Sequence, residues 1–181
     1  MAKIRTYDHF PKELKQSDPN GCIPTCIAAV LQSYGMRKSW ITEQEVTRAC
    51  LLAIRDTSDW SFENLDRLNV LSKITPEEKE HSLEKFFVLH TRGFPNFDDW
   101  WRQVAEWVDQ NGWPVLISYT RENGGPHACT VIGVNGDELE MFDPSDGPST
   151  IPTRRHDLQK IWSSSRPRLN HDILGIEFNS G

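Results

Sequence analysis

Apolar and polar positions alternate with two different periods along this chain, and the change of period divides it. After Cys22 an Ala-rich apolar spacing predicts a helix to about Tyr34, with Gly35 as its left-handed stop. Thr42-Glu43-Gln44-Glu45 forms a capping box ahead of Val46, Ala49, Cys50, Ala53 and Ile54, which share one helical face. Ser58 to Ser61 breaks that pattern. Phe62, Leu65, Leu68 and Leu71 then suggest a further helix, and Thr75-Pro76 opens another whose acidic run reads as a solvated face. Lys85 to His90 is aromatic and branched, the signature of a strand. Asn96 and Asp99 cap a helix carrying Trp100, Trp101, Val104, Trp107 and Val108, stopped by Asn111-Gly112. At that spacing the tryptophans read as core, not as a ligand box.

From Trp113 the chain turns to strands, expected at about 114–120, 127–133 and 137–143. Arg154 to Trp162 follows as a short surface helix, and Ile173 to Phe178 as a last strand. Residues 1–15 are polar and read as irregular surface chain, and Arg121 to Gly125 as a flexible loop. Without repeats or linkers, the expectation is one domain spanning 1–181. Its fold class is α+β, a helical N-terminal half packed on an antiparallel sheet.

Composition narrows the partners. A net charge of −6 argues against nucleic acid or an anionic membrane, which need a basic face. No apolar run is long enough for a membrane span, and the first residues do not form a signal-peptide core, so a cytoplasmic protein is expected. Cys22, Cys26, Cys50 and Cys129 lack zinc-type spacing, so neither metal nor cofactor is expected. They read as reduced thiols, with Cys26, Cys50 and Cys129 as small core residues. His9, His90, His156 and His171 carry no partner spacing.

One thiol stands apart. Gln16 to Gly21 is a loop of turn formers, and Cys22 lies where that loop becomes helix, with Pro24 tolerated in the first turn. The positive end of the helix dipole favours thiolate there, the nucleophilic form. The intervening turns allow the Gln16 amide to fold back beside the thiol. Its Nε2 and the Cys22 backbone N–H would then bind a developing oxyanion.

The Gln16…Cys22 spacing resembles the corresponding element of the papain-like cysteine peptidases, above all the peptidase domain that trims bacteriocin leader peptides. Trp113 to Ile117, His127 to Gly133 and Met141-Phe142-Asp143-Pro144 extend the resemblance over most of residues 14–178. It implies a papain-like fold and a Cys22-His127-Asp143 triad, standing alone without the transporter to which such domains are typically fused. The substrate implied is a peptide or protein. One departure is Ile23, where the family has Gly; a branched side chain there is expected to narrow the groove.

In this reading His127 takes the thiol proton and later protonates the leaving amine, while Asp143 orients the imidazole. Asp146 is the alternative orienter. The same three groups would serve a protein-glutamine deamidase or a transglutaminase-like enzyme. A non-catalytic peptide-binding module is a further alternative, although a pure binder needs no nucleophile.

The triad also constrains register, because His127 and Asp143 must share a sheet face. A two-residue turn at Asn135-Gly136 would set Asp143 opposite Ala128 and separate them. A three-residue loop of Val134, Asn135 and Gly136 pairs Gly133 with Asp137 and sets His127 across from Asp143. That second register is expected, as a type I turn with a bulge at a left-handed Gly136.

Overall fold

A computed structural model describes residues 1–17, 21–35, 42, 44, 46, 86–91, 93–120, 126–145, 150–164 and 172–178. The expected continuation of the helix after Val46, the helices at Phe62 and Thr75, the Arg121–Gly125 loop, Cys50, Asp146 and His171 lie outside these residues.

The organising layer is a seven-stranded antiparallel sheet. Its strands are β1 (Ala2–Lys3), β2 (Phe86–Thr91), β3 (Val115–Thr120), β4 (Pro126–Asn135), β5 (Glu138–Phe142), β6 (Thr150–Arg154) and β7 (Ile173–Phe178). The order is β2-β7-β3-β4-β5-β6, and β1 pairs with β4 where β3 has ended. The helices are α1 (Cys22–Ser33), α2 (Phe97–Asp109) and α3 (Arg155–Ser164). The α+β expectation holds, with α1, which begins at Cys22, packed on the sheet. Among the described residues no helix is long and apolar enough to cross a membrane.

Every residue of α1 from Ile23 to Ser33 is buried, so apolar packing outweighs the modest helix preference of its branched residues. Gly35, at φ +87°, ends it as expected. The Asn96 side chain caps α2 by accepting from the Asp99 N–H at 2.9 Å. Trp100, Trp101, Val104, Trp107 and Val108 are buried, confirming them as core. Gly175 of β7 lies under Trp107, and a Cβ there would come within 2.8 Å of the indole. The absent side chain lets α2 lie close to the sheet.

Two short strands were not expected. β6 contains Pro152, which is tolerated because β6 is an edge strand. β1 opens a segment that is ordered rather than irregular. The Ile4 N–H donates to the Ile132 carbonyl at 3.1 Å. Tyr7 Oη donates to Glu140, Lys12 Nζ bonds the same carboxylate at 3.3 Å, and Phe10 packs edge-on against Phe142. The N-terminal arm thus runs as a strap along the β4–β5 hairpin.

The hairpin takes neither the expected three-residue loop nor the two-residue turn at Asn135-Gly136. Asn135 pairs with Glu138 across a two-residue connection of Gly136 and Asp137. Gly136 is left-handed at φ +60°, but as the first loop residue, where primed hairpin turns require it. The bulge lies inside β4, between the pairs Val131↔Met141 and Gly133↔Glu140.

Candidate active site

Strand β5 pairs with β4 only from Asn135 back to Thr130, and after Phe142 the chain leaves the ladder at Asp143-Pro144. The stretch of β4 before Thr130 therefore has no β5 partner. The start of α1 docks there. Cys26 Sγ donates to the Ala128 carbonyl at 3.7 Å, and the Ala128 N–H bonds the Cys22 sulfur. A strand edge left open by an early exit is what brings the helix terminus to the sheet.

Cys22 is the first residue of α1, after an N-cap (Gly21) that provides no side-chain acceptor. The amides of that first turn are therefore left for other acceptors. The thiol is half-buried, and burial alone would raise its pKa. The hydrogen bond and charge of His127 outweigh that, assisted by the N–H groups of Ala128 and Ile23, and the net shift is downward. Cys26, one turn further on, is fully buried. Its pKa lies well above the ordinary thiol value because burial dominates, and the nearby Cys22 and Asp143 add to the rise. Only one thiol of the pair is tuned for reaction. Ile23 is buried in the core, so the side chain expected to narrow a groove packs inward instead.

His127 and Asp143 are both buried, and His127 Nε2 lies 2.7 Å from Asp143 Oδ1. With Nε2 so engaged, Nδ1 is the nitrogen left for the thiol. Asp143 Oδ1 also accepts from the Ser145 N–H at 2.9 Å and from Ser145 Oγ at 2.8 Å. Burial would raise this carboxyl, but the bonds from His127 and Ser145 prevail and hold it at about 2. Ser145 was not anticipated. The signal was present in Asp143-Pro144-Ser145, since an Asp that accepts from the N–H two residues on makes an Asx turn.

Gln16 reaches the same corner through its backbone: its N–H donates to the Pro144 carbonyl at 2.9 Å. The site thus gathers the start of α1, the open end of β4, the exit of β5 and the end of the strap. His9 and His156 are exposed on other elements.

Among the described residues, the metal-donor grouping is His127, Cys129 and Asp143, with one ligand atom of each within 4.8 Å of the others. The imidazole and carboxylate are spaced as a hydrogen-bonded pair. Two ligands at about 2.0–2.1 Å from a tetrahedral zinc would stand about 3.3 Å apart. The arrangement suits proton transfer: a lowered thiol, an imidazole beside it and an ionised carboxylate fixing that imidazole.

The sequence profile of the Peptidase_C39 like family matches residues 7–168. No curated protein matches the sequence. Among solved structures, a C39-like peptidase from Bacillus anthracis is similar at 14% identity over 100% of both chains, with TM-score 0.58. The peptidase domain of Streptococcus ComA, a bi-functional ABC transporter involved in a quorum sensing pathway, is 12% identical (TM-score 0.57). That match covers 93% of this chain and 97% of the other. A double glycine motif protease from an AMS/PCAT transporter, in complex with its leader peptide, is 16% identical (TM-score 0.53), covering 92% and 90%. At such identities the structural likeness speaks for the fold alone.

Proposed function

The chain belongs to the Peptidase_C39 like family of cysteine peptidases, and from that membership we propose that Cys22, His127 and Asp143 form its catalytic triad, with Gln16 completing the oxyanion hole. The observation that carries the reading is the convergence on His127, which bonds Asp143 through one nitrogen and lowers the Cys22 thiol from its other side.

The chemistry follows from those positions. The Cys22 thiolate attacks the scissile carbonyl carbon, and the carbonyl electrons move onto oxygen. That oxyanion is bound by the Cys22 N–H, which lacks a helical acceptor by position, and by Gln16 Nε2. His127, carrying the proton taken from the thiol, delivers it to the leaving amine as the C–N bond breaks. The imidazole then deprotonates water, which attacks the thioester and releases the acid and the thiol. Asp143 stays ionised and holds the tautomer throughout.

The substrate is a peptide or protein. One structural relative was solved with a leader peptide and is a double glycine motif protease, so peptides carrying that motif are the first to test. The deciding experiment incubates wild type and Cys22→Ala with such peptides and a glutamine-rich protein. New N-termini formed only by wild type support the reading. Ammonia release with the backbone intact would replace peptide hydrolysis with deamidation.

A further inference from the structure

We propose that Tyr119 is a positioning residue for His127, its ring fixing the plane of the imidazole and its hydroxyl anchored on the Cys129 thiol. The proposal rests on the triad reading above. Tyr119 belongs to β3 and stands directly opposite His127 in the β3–β4 ladder, so the two side chains share a face. Their rings meet edge to face, with centroids 5.6 Å apart and planes at 87°. The Tyr119 hydroxyl lies 3.6 Å from Cys129 Sγ, where either group can donate. Cys129 is the next residue of β4 on that face and is fully buried. Tyr119 therefore holds two successive same-face residues of β4, the imidazole through its ring and the thiol through its hydroxyl.

This supplies a constraint that Asp143 cannot. The hydrogen bond to Asp143 holds the imidazole at Nε2 and does not by itself set the tilt of the ring about that bond. Tilting carries Nδ1 away from Cys22, and proton transfer requires hydrogen-bond reach. A ring packed on the imidazole from β3 removes that freedom, while Asp143 fixes it from the side of β5. The arrangement also gives Cys129 a role: an apolar residue there would pack equally well but could not anchor the hydroxyl.

The test needs no known substrate for its first readout. The pH dependence of Cys22 alkylation by iodoacetamide is measured for wild type, Tyr119→Leu, Tyr119→Phe and His127→Ala. Tyr119→Leu should move the alkylation midpoint upward, towards that of His127→Ala, and lower kcat on a cleavable peptide by roughly 10-fold or more with KM little changed. Tyr119→Phe keeps the ring and should stay closer to wild type. Where Tyr119→Leu fails to fold, Tyr119→Phe, Cys129→Ala and the double variant replace it. Each single change removes the same anchor, so the double should lower kcat no further than either alone. A wild-type midpoint in folded Tyr119→Leu, alongside a displaced one in His127→Ala, would overturn the proposal and leave the triad standing. Additive losses in the double variant would overturn it as well. A wild-type midpoint in His127→Ala would instead overturn the triad reading on which it rests.

Discussion

Asp143 bonds His127 from the residue that follows the last β4–β5 pair, not from a paired position opposite it. The last pair of the β4–β5 ladder is Thr130 with Phe142, and the same register continued by one step would set Asp143 level with Cys129. His127 and Cys129 share a face, so the carboxylate reaches the imidazole along a diagonal of 2.7 Å. The bulge between Val131 and Gly133 makes this possible. Continued unbroken from Asn135↔Glu138, the same ladder would set Asp143 opposite Thr130, on the other face.

The Asp143 carboxyl, held at about 2 against an ordinary 3.8, makes stability depend on acid. A depressed carboxyl adds stability that is fully present above the unfolded value and is lost as pH falls towards the folded one. Between pH 5 and pH 2 wild type should therefore lose about 2 kcal/mol that Asp143→Asn never had. Urea unfolding of both proteins across that range reads the difference. A gap independent of pH would contradict an ionised pair.

Thiol reactivity should follow the two opposite shifts in α1. At neutral pH iodoacetamide should label Cys22 well ahead of Cys26 and Cys129, both fully buried, and His127→Ala should slow that labelling. Mass spectrometry of native protein checks the order. Equal labelling would remove the basis for Cys22 as nucleophile.

Gln16→Ala should reduce kcat by roughly 10²–10³-fold with KM little altered, because an oxyanion donor acts chiefly in the transition state. Steady-state kinetics on a cleavable peptide decides it. An unchanged kcat would mean that backbone donors suffice.

Gly175→Ala should destabilise the protein without touching the chemistry. The new methyl would meet the Trp107 ring at 2.8 Å, and overpacking of this kind costs about 1–3 kcal/mol. The melting temperature should fall by about 2–4 °C for each kcal/mol, while turnover well below the transition stays near wild type. Thermal melts followed by tryptophan fluorescence report it.

Periodicity and stop signals were enough to read α1, α2, β3, β4, β5 and β7, because each buries one strongly apolar face or ends on Gly or Asn. The hairpin register was not readable in the same way. Asn135-Gly136 is a strong turn signal, yet the observed connection is Gly136-Asp137, and the bulge that restores a shared face lies several residues away. Gly133 was the available hint, since a glycine inside a strand pattern often marks a bulge. Cys22, His127 and Asp143 stood out through their local settings. Ser145 and Tyr119 did not, because their roles depend on an Asx turn and on the β3–β4 pairing.

The docking of α1 on the open end of β4 also sets the timing of activation. Cys26 and Ala128, whose bond ties that helix to that strand, are 102 residues apart. At roughly 5–20 residues per second on a ribosome, the thiol exists for about 5–20 s before the strand that lowers its pKa has been made. Through that interval the proposed nucleophile would lack the His127 imidazole that lowers its pKa in the folded chain. With the triad as proposed, activity would begin when a late strand captures an early helix, a closure slowed by its long loop.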